Sequence, residues 1–194
     1  MEIGVLALQG DFREHITLLQ QLGVGVHSIR LPEQLKDING LIIPGGESTT
    51  IGKLAVDFNL LQPLRQFAQQ HAVWGTCAGA IFLSKDARSN QPLLGVMDIT
   101  VERNAFGRQT ESFEIDLNVP ALKSVGSDEP YHAIFIRAPI IESVHGNATI
   151  LATLPNGKIV AAQQGHLLAT SFHPELTQDD RFHRYFLTLV REKQ

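Results

Sequence analysis

The sequence predicts an α/β fold: a three-layer, open, mainly parallel sheet with flanking helices and a small antiparallel addition. Three observations predict it. Short continuous apolar runs at residues 3–8, 41–43 and 72–74 have the composition of strands covered on both faces. Segments with apolar residues at helical spacing stand between them, and strand–helix alternation is the signature of a parallel sheet. Glycine-containing turns end two of the runs, at 44–46 and 75–79, which is where open sheets of this kind carry their sites.

The elements follow in order. Residues 3–8 form a strand, broken by Gln9-Gly10-Asp11. Over 12–22, Phe12, Ile16, Leu19 and Leu22 recur at helical spacing, and Gly23 stands at the C-cap position. Residues 24–31 read as a second strand and 41–43 as a third. A second helix is expected over 60–70, a short buried strand at 72–74, and another helix over 78–84. Residues 100–119 and 132–152 hold strand-like stretches with few helical signals, which places the antiparallel addition there. Residues 160–162 and 167–172 read as strands flanking a Gln-Gly turn. A terminal helix over 179–192 puts Phe182, Tyr185, Phe186 and Leu189 on its apolar face, and His183 is expected to be solvated. With no repeat, low-complexity tract or linker, residues 1–194 are read as a single domain.

Composition narrows the function classes. Hydrophobic residues make up 43% and charged residues 19%, a globular rather than disordered balance. The net charge of −4 offers no basic surface for nucleic acid or anionic membrane. No apolar run approaches ~18 residues, so no transmembrane helix is expected. The start lacks a signal-peptide layout, and the expected location is the cytoplasm. A single cysteine, Cys77, excludes an intrachain disulfide and zinc sites built from several cysteines. Cys77 is then either a small buried hydrophobe or a reactive thiolate.

Its surroundings favour reactivity. Gly75-Thr76-Cys77-Ala78-Gly79 follows a strand and opens a helix, the thiol version of a nucleophile elbow. The helix N-terminus brings backbone N–H groups near the sulfur and favours the thiolate. His173-Pro174-Glu175 follows the last strand, and side chains at i and i+2 project to one side of extended backbone. His173 can therefore act as base and Glu175 as its orienter. Alone the triplet is a weak signal, equally a surface histidine before a helix start. None of the other seven histidines has an acid two residues on after a strand; His15 has acidic neighbours, but within a helix. In Pro44-Gly45-Gly46-Glu47-Ser48, the glycines allow positive φ and expose N–H groups that, with the N–H of Ala78, can form an oxyanion hole. The same stretch also reads as a plain tight turn, with Glu47 or Ser48 capping the helix that follows. Residues 11–15 read either as a partner contact or as a solvated helix start.

The joint placement of these motifs is more specific than any one of them. With Gly4-Val5-Leu6-Ala7-Leu8-Gln9-Gly10, Arg13-Glu14-His15, Glu47-Ser48-Thr49-Thr50, Val101-Glu102-Arg103-Asn104-Ala105-Phe106-Gly107-Arg108-Gln109, Phe135-Ile136-Arg137-Ala138-Pro139 and Ser171-Phe172-His173-Pro174-Glu175-Leu176, the sequence resembles the class I (triad) glutamine amidotransferase family. Within it, the nearer resemblance is to the glutaminase subunits that serve pyridoxal 5′-phosphate synthesis. The resemblance spans nearly the whole chain.

It implies a flavodoxin-like sheet and hydrolysis of L-glutamine to glutamate and ammonia. Cys77 would be the nucleophile, His173 the base and Glu175 its orienter. Gly46 and Ala78 would supply the oxyanion N–H groups, and Gly46, Glu47, Ser48, Arg103, Ile136 and Arg137 would line the glutamine site. Arg103 or Arg137 suits the α-carboxylate and Glu47 the α-ammonium. No cofactor and no metal are implied. Ammonia must reach a second active site, so the resemblance implies a partner, the pyridoxal 5′-phosphate synthase subunit. Ala80, small for its place after the elbow, is expected to affect packing only. Two rivals stay open: a glutaminase serving another amidotransferase, and a non-catalytic regulatory subunit of the same fold.

Overall fold

The computed structural model describes residues 1–103 and 112–193. The first half of the chain lays down β1 (Glu2–Leu6), α1 (Phe12–Gln21), β2 (Gly25–Ile29), β3 (Gly40–Ile43), α2 (Ser48–Asp57), α3 (Leu61–Gln70) and β4 (Ala72–Thr76). α4 (Ala78–Leu83) starts one residue later and runs into a short β5 (Ser84–Asp86). The second half holds β6 (Met97–Glu102), β7 (Ser112–Leu117), β8 (Tyr131–Ile136), β9 (Ile140–Val144), β10 (Thr149–Thr153), β11 (Ile159–Gln164), β12 (Leu167–Thr170) and α5 (Arg181–Lys193). Three short 3₁₀ turns, Pro32–Asp37, Pro120–Ser124 and Pro174–Leu176, each place proline in the first turn, where its missing N–H costs nothing.

The main sheet has the order β2-β1-β3-β4-β12-β11-β9-β6-β5, with β10 also paired to β11. Pairings from β2 across to β12 are parallel. β12–β11, β11–β9 and β9–β6 are antiparallel, so the antiparallel addition extends the same sheet. β7 and β8 form a separate antiparallel ribbon in register from Ser112↔Ile136 to Leu117↔Tyr131. The segment 104–109 of the family-like motif lies outside the described residues.

Side-chain alternation builds the three layers. On β3, Leu41 and Ile43 enter one core, with Ile51 and Ala55 of α2, Leu64 and Phe67 of α3, and Ile81 and Phe82 of α4. Ile42 points the other way, into a core shared with Leu19 of α1, Phe182, Phe186 and Leu189 of α5, and Tyr131 and Phe135 of β8. Each such side chain contributes about 1.5–3 kcal/mol on full burial. Trp74 of β4 anchors the second core, its ring centroid 6.2 Å from Phe182 and 5.7 Å from Phe186, and its Nε1–H donating to Thr170 Oγ1 at 3.1 Å.

One expectation is overturned here. His183 is not solvated but fully buried. α5 packs against both β4 and the Pro120–Ser124 turn, so its covered stripe takes in Phe182, His183, Phe186, Leu187, Leu189 and Val190. Among the described residues, no helix is long and apolar enough to cross a membrane.

Candidate active site

β4 delivers Cys77 to the carboxyl edge of the parallel strands. Its backbone has φ 48 and ψ −107, a conformation that costs a non-glycine residue on the order of 1–3 kcal/mol. Tertiary bonds hold it there. Cys77 N–H donates to Thr170 O at 2.8 Å, and Cys77 O accepts from Ala80 N–H at 3.1 Å. The flanking glycines permit the close approach that a sharp elbow needs. A Cβ on Gly79 would overlap the Ile43 carbonyl oxygen, and one on Gly75 the Gly79 carbonyl. Ala80 is fully buried beside them, consistent with a packing role.

β12 delivers the second element. His173 N–H donates to Ile134 O at 2.8 Å, pinning the loop to β8. Its ring hydrogen-bonds both the Cys77 sulfur and Glu175. The Glu175 contact runs from Nδ1 to Oε1 at 2.7 Å, and both side chains are buried. Burial pushes the His173 pKa down, but the bonds to Cys77 and Glu175 outweigh it and raise the pKa to about 10. Burial raises the pKa of Glu175, and His173 and Glu175's own backbone N–H offset that only in part.

A cavity of about 450 Å³ opens in front of this line. Its walls include Cys77, Ala78, His173, Gly46, Glu47, Ser48, Arg103, Ile136 and Arg137. Every site residue expected from the sequence is thus brought to one cavity except Glu175, which stands behind His173. Gly46 has φ +153, in the region that favours glycine. Glu47 serves both of its readings. It lines the cavity and caps α2, its carboxylate accepting from Thr49 N–H at 3.1 Å and Thr50 N–H at 2.7 Å. Slight burial raises its pKa, but Thr50 and Thr49 hold it down at about 2.

The two arginines differ. Arg103 Nη1 donates to Thr49 Oγ1 and Gln91 Oε1, both at 3.0 Å, and Nη2 donates to Glu47 Oε1 at 3.1 Å. Arg137 follows β8 with φ 44, and among the described residues its side chain makes no hydrogen bond or ion pair. It is a strained backbone position with an uncommitted guanidinium at the cavity wall.

Sequence reasoning missed several members of the site. Gln9 lines the cavity and accepts the Glu47 N–H through Oε1 at 2.7 Å. Gln91 exchanges bonds with Ser48 and accepts from Arg103 through Oε1. Asp11 places Oδ2 at 3.6 Å from His173 Nδ1. His15 is fully buried, which rules out the solvated reading for that end of the 11–15 stretch. The apolar strand exit before Gln9 was the one available signal for Gln9 and Asp11. Asp11, His173 and Glu175 present donor atoms within 4.8 Å of one another, the grouping that could hold a metal among the described residues. Two of those atoms, His173 Nδ1 and Glu175 Oε1, are already spent on each other.

Comparison with known proteins places the whole chain. The model of the SNO glutamine amidotransferase family matches residues 5–192. The "Pyridoxal 5′-phosphate synthase subunit PdxT" of Herpetosiphon aurantiacus is 58% identical, covering 97% of this chain and all of that protein. The protein of the same name from Moorella thermoacetica is 57% identical over 98% of this chain and all of its own length. A crystal structure of a glutamine amidotransferase superposes with a TM-score of 0.90 at 49% identity, over 97% of this chain and 98% of that one. PurLQS from Thermotoga maritima, at 13% identity and a TM-score of 0.72 over 100% of this chain and 98% of its own, shares the fold. The chain belongs to the SNO glutamine amidotransferase family.

Proposed function

We propose that this chain is the glutaminase subunit of a pyridoxal 5′-phosphate synthase, hydrolysing L-glutamine and passing ammonia to the synthase subunit. The observation that carries the reading is the buried line of Cys77 and His173 on the wall of one cavity with Glu175 behind them, in a chain 57–58% identical to subunits bearing that name. One domain, residues 1–194, does the work, in the cytoplasm, where a lone thiol stays reduced.

The chemistry follows from the placement of the three groups. Cys77 passes its thiol proton to His173, its sulfur attacks the side-chain amide carbon of glutamine, and the carbonyl electrons move onto oxygen. Backbone N–H groups of Gly46 and Ala78 hold that oxyanion. As the C–N bond breaks, the His173 imidazolium gives its proton to the departing nitrogen, and ammonia leaves a γ-glutamyl thioester. The neutral His173 then takes a proton from water as the oxygen attacks the thioester. Collapse breaks the C–S bond, His173 returns its proton to the Cys77 sulfur, and a carboxylic acid is released that ionises to glutamate. Glu175 keeps Nδ1 protonated and the ring aligned throughout. Arg137 takes the α-carboxylate of glutamine, since its guanidinium has no partner among the described residues. Glu47 faces the α-ammonium, with Arg103 bracing its other side. Ser48 and Ile136 complete the wall.

Glutamate release by the chain mixed with a pyridoxal 5′-phosphate synthase subunit tests this. Release is expected from the wild-type pair and not from the pair carrying Cys77→Ala. Undiminished release by the Cys77→Ala pair would refute the nucleophile. Stimulation by a different amidotransferase's synthase instead would refute the partner.

A further inference from the structure

Behind Glu175 the line of buried polar groups continues. Oε1 takes His173, while Oε2, also buried, makes no hydrogen bond of normal geometry and faces His15 Nε2 at 3.4 Å. The same nitrogen lies 3.3 Å from Oγ1 of Thr76, the residue before Cys77. His15 Nδ1 is 2.9 Å from His183 Nε2, and His183 Nδ1 is buried with no partner. Both rings are fully buried edge-on against Trp74, at centroid distances of 5.8 and 4.9 Å. Burial holds both neutral, His183 pushed down to about 3 and His15 well below its ordinary value. Each ring therefore has one proton to place.

Two arrangements satisfy the contact between the rings. In the first, His15 protonates Nδ1 and donates to His183 Nε2. His183 must then carry its proton on Nδ1, where nothing accepts it, and His15 Nε2 turns a lone pair toward a carboxylate oxygen. In the second, His183 Nε2–H donates to His15 Nδ1, and His15 Nε2–H points at Glu175 Oε2 and Thr76 Oγ1. The unpartnered atom is then a lone pair, which is less costly to bury than an N–H, and the carboxylate oxygen faces a polarised N–H at 3.4 Å instead of a second lone pair. The second arrangement removes both penalties of the first.

We infer that His15 is a positioning residue of the glutaminase site: its Nε2–H, fixed in that tautomer by His183, faces the outer oxygen of Glu175 from 3.4 Å and attracts it electrostatically, so that Oε1 stays aligned on His173. This rests on the roles proposed for Cys77, His173 and Glu175. His15 touches neither glutamine nor the reacting atoms, and it acts through the carboxylate. It joins α1 to α5 across the back of the elbow, so the orientation of the base depends on residues at opposite ends of the chain.

A double-mutant cycle on the synthase-bound chain tests it, using His15→Leu, Glu175→Ala and the pair, with glutamate release as the readout. His15→Leu is expected to lower kcat about 10- to 100-fold, the usual cost of losing such a supporting partner, with the glutamine KM unchanged. His15→Gln, which keeps an N–H donor near the Nε2 position, is expected to recover most of that loss. Once Glu175 is alanine, His15→Leu should cost nothing further. Wild-type kcat in Glu175→Ala would remove the triad role and this inference with it. A slow Glu175→Ala variant in which His15→Leu still costs its full factor would leave the triad standing and overturn the role of His15. Should His15→Leu fail to fold, ¹⁵N chemical shifts of the wild-type rings decide. Protonated Nε2 and bare Nδ1 on His15 are expected, and the reverse overturns the inference.

Discussion

The backbone N–H of Asp11 donates to the carbonyl oxygen of Gly45 at 3.0 Å, bonding the exit loop of β1 to the loop that carries Gly46. Gln9 adds a second tie through the Glu47 N–H. The Gly45-Gly46 loop after β3 is therefore held by its neighbour after β1, and its geometry is not set by its own glycines alone.

Gly10 is the residue that permits this contact. It has φ +97, and a Cβ there would overlap the Gly45 carbonyl oxygen. Gly10→Ala must either strain its own backbone, at about 1–2 kcal/mol, or push the Gly46 loop away. Expected is a kcat for glutamate release reduced by about 10-fold or more, in line with a misplaced oxyanion donor. The melting temperature should fall by only about 2–4 °C per kcal/mol lost. Wild-type kcat in a folded Gly10→Ala chain would show that the loop contact does not govern the site.

The two arginines should separate kinetically. Arg137 has no partner among the described residues, so Arg137→Ala should chiefly raise the glutamine KM, by about 10- to 100-fold for a lost charge-assisted hydrogen bond. Arg103 braces Glu47, Thr49 and Gln91. Arg103→Ala should raise KM less and lower the melting temperature more. Steady-state kinetics and thermal melts of the two variants check this; the opposite ranking would reassign the carboxylate contact to Arg103.

Stability should fall in acid. His183 is neutral when folded, with its pKa pushed down to about 3 by burial. Its unfolded value is about 6.5, so between those limits the unfolded chain binds a proton that the folded chain refuses. Folding free energy is then lost as pH falls from about 6.5 toward 3, by about 1.4 kcal/mol per pH unit for one such group. His15 acts in the same direction. His173 acts at the other end: its contribution is fully present below about 6.5 and is lost as pH rises toward about 10. Urea unfolding at a series of pH values should show a slope on the acid side that flattens in His183→Leu. An unchanged slope in that variant would mean His183 is not the group taking up the proton.

Much of this was legible in the chain. Continuous apolar strands such as 41–43 announced a doubly covered sheet, and Gly75-Thr76-Cys77-Ala78-Gly79 announced its elbow, because both are local patterns. The expected cavity residues converge, since each sits just past the end of a strand or at the start of a helix. The partnership of His15 with His183 was not legible. It joins residues 168 positions apart, and only the crossing of α1 and α5 behind β4 brings them together. His183 looked solvated because four apolar residues sufficed to define a helix face, whereas two packing partners bury a wider stripe. The commitment of Arg103 to Glu47 was equally hidden, as spacing cannot say which of two arginines is already paired.

The most direct measurement is the site of covalent capture by a glutamine-analogue electrophile, read by mass spectrometry of the synthase-bound chain. One label per chain is expected, on Cys77, with labelling slowed in Glu175→Ala and absent in Cys77→Ala. Labelling at another residue, or undiminished labelling of the Cys77→Ala chain, would contradict a glutaminase built on Cys77, His173 and Glu175.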